Sequence, residues 1–98
     1  MFRAVAVSTL TVRLASDDAR AFALEVRVGE GGTATTHAVT LARDLLARLA
    51  PGESPEAFVR RCFEFLLERE PKESILKRFD VAVIGHYFPE FESRMANP

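Results

Sequence analysis

The stretch FDVAVIGHYFPEF, residues 79–91, decides between two fold classes. Asp80, the apolar run Val81-Ala82-Val83-Ile84 and then Gly85 look like the first strand and turn of a nucleotide-binding unit. That would make the protein a parallel α/β domain. A dinucleotide site needs several glycines after its strand, for the tight turn, the close approach to a pyrophosphate and the packing of the next helix. Here Gly85 is followed by His86-Tyr87-Phe88-Pro89, bulky residues where a phosphate would meet backbone N–H groups. Only 13 residues follow Gly85, too few for a crossover helix and a second strand. The spacing fits a short helix better. Asp80 suits its N-terminus, Val81, Ile84 and Phe88 share a face, Val83 and Tyr87 are four apart, and Pro89 ends it. An edge strand through residues 81–85 is the alternative.

Upstream the period changes from helical to two. In FALEVRV (22–28), Phe22, Leu24, Val26 and Val28 alternate with Ala23, Glu25 and Arg27, the pattern of a half-buried strand. In TATTHAVTL (33–41), His37, Val39 and Leu41 share one face while Thr36, Ala38 and Thr40 share the other. The intervening GEGG (29–32) supplies the positive φ of a tight turn, so the pair reads as a β-hairpin. Residues 2–14 are β-prone as well, with an apolar phase shift between Val7 and Leu10 that predicts a bulge or break, and ASDDAR (15–20) serves as the turn into the next strand.

After the hairpin the chain is helical. RDLLARLA (43–50) places Leu45, Leu46 and Leu49 together and stops at Pro51-Gly52. Ser54 as N-cap, Pro55 in the first turn and Glu56 near the positive dipole end open a helix over 55–70, limited by Pro71. KESILKRF (72–79) is expected as a short third helix using Ile75, Leu76 and Phe79. The expected fold is therefore α+β: a three-stranded antiparallel meander over about 1–42, then three or four helices over 43–92 packed on one face, with 93–98 frayed, all in a single domain.

The C-terminal segments ESILKRFD and VIGHYFPE resemble the signature of small uncharacterised bacterial proteins of similar length, over residues 22–92. The resemblance implies a bacterial source. It brings no activity, cofactor or functional residue with it.

The composition narrows the classes of partner. With 13 basic and 14 acidic residues the net charge is −1, which gives no global attraction to nucleic acid or an anionic membrane. No apolar run approaches the roughly 18 residues of a membrane span. The opening MFRAVAVSTLTVRLAS reads as a strand rather than a signal segment, because Ser8, Thr9, Thr11 and Arg13 interrupt it. A single cysteine, Cys62, fits a reducing compartment, and the expected location is cytoplasmic.

Residue by residue, the chemistry-bearing side chains point to structure rather than catalysis. Cys62 lies on the apolar face of the long helix, where a core thiol is expected rather than a nucleophile. His37 shares a strand face with Val39 and Leu41, the position of a satisfied buried histidine. His37 and His86 are the only histidines, and no His or Cys pair has ligand spacing, so no metal or other cofactor is expected. Arg60 and Arg61 are expected to pair with Glu64 along the helix.

The order strand, helix, turn, capped helix over 36–70 resembles a ribbon-helix-helix repressor, with Thr36, Thr40 and Arg43 as readers. The short first helix, the local partner strand and the charge balance oppose it. The leading expectation is a small non-enzymatic interaction or oligomerisation module whose partner is another protein or a second copy. Apolar residues of the long helix cover an arc of roughly 200°, wider than one stripe. Phe63 and Leu67 are thus candidates for a contact surface, together with His86, Tyr87, Phe88 and Phe91 near the C-terminus. The competing expectation is that ESILKRF (73–79) and VIGHYF (83–88) cover the helix within the monomer.

Overall fold

A computed structural model describes residues 9–97. Strands β1 (Thr9–Asp17), β2 (Ala21–Glu30) and β3 (Thr33–Ala42) form the expected antiparallel meander. The hairpin turn is Gly31-Gly32, with φ of 61° and 82°, between the paired residues Glu30 and Thr33. Two successive positive φ values define a type I′ turn, whose twist matches that of the flanking strands. Val7 lies outside the described residues. The register break seen here falls between Leu14 and Ser16, leaving Ala15 without a partner.

Helices α1 (Arg43–Leu49) and α2 (Pro55–Leu67) follow. Ser54 caps α2 as its sequence predicts, its hydroxyl accepting from the Ala57 N–H at 3.1 Å. The expected third helix over 72–79 does not form. Lys72–Ser74 makes one 3-10 turn, and the chain then extends into β4 (Arg78–Asp80), which pairs with β3 in parallel. The edge of β3 supplies the hydrogen bonds that a helix would otherwise make internally. Ala38 N donates to Lys77 O at 2.8 Å, and Val81 N donates to Thr40 O at 2.9 Å. The sheet is thus four-stranded and mixed, in the order β1-β2-β3-β4, rather than a three-stranded meander.

The chain ends with α3 (Ala82–Tyr87) and α4 (Phe91–Ala96). The helical alternative for residues 82–87 is the one adopted, and Asp80 Oδ1 accepts from the Ala82 N–H at 2.9 Å. Of the residues expected to fray, 93–96 belong instead to α4, because Met95 is buried and the Arg61 guanidinium donates to its carbonyl at 3.1 Å.

The core lies between one sheet face and the helices. Leu24, Val26, Val28, Val39 and Leu41 meet Phe58, Val59, Cys62 and Phe63. The other side of α2 is covered too: Phe65 packs edge-on against Phe88 and Phe91, with centroids 5.8 and 5.3 Å away. The wide apolar arc of α2 is therefore satisfied within the monomer. The opposite sheet face, with Thr36, Thr40, Glu25 and Arg27 exposed, carries no helix among the described residues.

Candidate functional site

Two segments that the sequence left ambiguous meet at an open groove of about 270 Å³. Leu66 and Glu70 at the end of α2 form one wall; Ser74, Ile75, Leu76 and Phe79 form the second; Val83, Ile84, Tyr87 and Phe88 of α3 and its end form the third. The lining is apolar except for Ser74, Glu70 and the Tyr87 hydroxyl.

Each wall is anchored. The middle wall hangs on His37, which is 1% exposed and packs against Phe63 with centroids 5.3 Å apart. Its Nδ1 is 2.7 Å from the Leu76 carbonyl, and its Nε2 is 2.8 Å from the Thr35 hydroxyl. A carbonyl can only accept, so Nδ1 carries a proton and donates it to Leu76, while the Thr35 hydroxyl pairs with the other ring nitrogen. Lys72 is buried with its Nζ 2.7 Å from Glu73 Oε2, and that hydrogen bond holds the Glu73 carboxyl below its ordinary range. Thr40 Oγ1 donates to Asp80 Oδ2 at 2.7 Å and fixes the entry into α3. On the helical side, the Arg69 guanidinium lies 3.6 Å over Phe65 and donates to Glu90 at 3.2 Å. The Glu90 carboxyl is lowered mainly by a backbone N–H and further by Arg69.

The rim is less satisfied than the walls. Leu76 is 50% and Tyr87 69% exposed, and they are the large apolar side chains that stand in solvent among the described residues. Extended backbone after Ser74 alternates its side chains, sending Ile75 inward and Leu76 outward. Glu70 is the one charged residue lining the groove, and among the described residues its carboxylate has no hydrogen bond or ion pair.

The residues singled out from the sequence separate into three groups. Tyr87 and Phe88 line the groove. His86 is exposed on α3 but does not line it, and Leu67 is half-buried against the core. Phe63 and Phe91 are corrections, since they are 0% and 1% exposed and offer no surface. Phe63 is taken up by His37 and Phe79, and Phe91 by Phe65. Sequence reasoning missed Glu70 and the outward turn of Leu76. No local signal marked the latter, because it depends on β3 drawing the chain out of helical geometry.

Other chemistry-bearing groups are structural. Cys62 is buried and its thiol is pushed far up by desolvation, so it is not a thiolate at neutral pH. Arg60 and Arg61 do not pair with Glu64 as expected. Arg60 donates to the Leu10 carbonyl of β1 at 2.7 Å, and Arg61 grips Glu53 with both nitrogens at 2.7 and 3.0 Å. Among the described residues no group of three His, Cys, Asp or Glu could hold a metal ion, and no helix is long and apolar enough to cross a membrane. Comparisons of the chain with family models, with curated protein sequences and with solved structures gave no match.

Proposed function

We propose that this chain is a non-enzymatic protein-interaction module that seats an apolar side chain of another chain in the groove between the end of α2 and α3. One observation carries it: the two large apolar side chains left in solvent, Leu76 and Tyr87, both stand on the rim of the same apolar groove. Tyrosine at a rim is suited to this use, giving contact area at little cost in side-chain entropy and a hydroxyl for water or a partner. The setting we assign, a bacterial cytoplasm, rests on the C-terminal resemblance and on a composition whose single cysteine is buried.

A small DNA-binding regulator or antitoxin of ribbon-helix-helix type is the alternative. It would need β3 to pair with its copy in another chain. Here β3 has β2 along one edge and β4 along the other at Ala38–Thr40.

Site-directed photo-cross-linking in the source cell tests the interaction module. A photoreactive phenylalanine at position 87 is expected to give discrete protein adducts that disappear when Val83→Arg fills the groove. The same probe at Thr36, on the open sheet face, is expected to give none. No adduct from position 87, or equal adducts from both positions, rejects the groove as the contact site.

A further inference from the structure

We infer that the occupant of the groove is a second copy of this chain, held in a two-fold contact in which each copy's Leu76 enters the other's groove. The inference rests on the interaction role proposed above. It starts from charge. The groove is apolar with one unpaired carboxylate, Glu70, so it fits a segment that carries an apolar side chain beside a cation. The chain displays such a segment at the groove's own rim. Leu76 is half exposed, and Lys77 follows it, exposed and without a side-chain partner among the described residues.

A surface that holds both the receptor and the inserted residue side by side meets the condition for an isologous contact, in which residue i touches j of the partner and j touches i. Rotation about a two-fold axis near the rim covers both Leu76 and both Tyr87 side chains. It also brings Lys77 of each copy toward Glu70 of the other. The groove is small, so the association is weak, with a dissociation constant on the order of tens to hundreds of micromolar.

Charge exchange between copies is the test, read as solution mass by light scattering over that concentration range. The wild-type protein is expected to rise from monomer to dimer. Glu70→Lys alone sets two cations against each other at each contact, and Lys77→Glu alone sets two anions there; each variant is expected to stay monomeric while keeping the wild-type circular dichroism spectrum. An equimolar mixture of the two variants is expected to regain the wild-type dimer, because every cross-contact is then between opposite charges. Recovery on mixing arises only if the charges meet across two molecules. A wild-type protein that is monomeric throughout, a dimer that both variants retain, or loss without recovery on mixing overturns the inference. Adducts from position 87 to a different protein, alongside a strict monomer, would leave the interaction role standing and remove only the second copy as occupant.

Discussion

His37 and Leu76, 39 positions apart, are joined by a 2.7 Å hydrogen bond from a ring nitrogen to a backbone carbonyl. That bond ties the middle of β3 to the groove wall and turns a core histidine into a support for the rim. His37→Ala removes the ring packed on Phe63 and leaves the Leu76 carbonyl without its donor. The expected loss is about 2–4 kcal/mol in urea unfolding. His37→Phe keeps most of the packing and is expected to cost less, while still loosening the Leu76 segment. Amide hydrogen exchange at residues 75–78 reads that difference.

The half-buried Arg61–Glu53 pair, whose side chains are 22% and 24% exposed, is expected to hold α4 in place. Arg61 also donates to the Met95 carbonyl. Arg61→Met is expected to destabilise the fold by about 1–3 kcal/mol, since it orphans a partly buried carboxylate and a carbonyl. Limited proteolysis should then cut within residues 91–97 before any other site. Early cleavage elsewhere would separate Arg61 from the seating of α4.

Acid should weaken the fold through carboxylates that it stabilises as anions. Asp18 accepts from the N–H groups of Arg20 and Ala21, which hold its carboxyl below the ordinary value, and Arg48 does the same for Glu92. A lowered folded-state pKa means that the contribution is present above the unfolded value and is lost as pH falls through the folded one. The urea midpoint is therefore expected to hold from neutral pH to about pH 5 and to decline below about pH 4. Asp18→Ala is expected to lower the neutral-pH midpoint and flatten that decline.

Turn and cap chemistry predict two smaller effects. Ser54→Ala is expected to cost about 0.5–2 kcal/mol by removing the acceptor for Ala57 N. At the hairpin, Gly31→Asn is expected to be nearly neutral, because asparagine tolerates a φ of 61°, whereas Gly32→Val at φ 82° is expected to be clearly destabilising. Thermal melts of the variants rank them, and a Gly32→Val variant as stable as the wild type would contradict the type I′ assignment.

Where structure was local, it was legible. Alternation in 22–28 and 33–41 gave the hairpin and its buried face, and Ser54-Pro55 gave the start of α2. What escaped depended on distant partners. Residues 78–80 form only a three-residue strand, too short for any period, and they become one because β3 offers an open edge. Met95 looks like tail until Arg61 and the core are in place. At the site, the candidate aromatics Tyr87 and Phe88 line the groove. The candidates Phe63 and Phe91 have the same chemistry but are buried, because amphipathic width says how much must be covered and not what covers it.

The parallel β4 also bears on how the chain is made. Synthesis from the N-terminus delivers β1, β2 and β3 together, and their hairpins can close as soon as they emerge. Their apolar face must then wait for Phe58 and Phe63, and the last edge of β3 for residues 40 positions further along. Until then the nascent sheet presents an open strand edge and a bare hydrophobic face. A stalled or truncated product ending before Arg78 would be the species most in need of a chaperone.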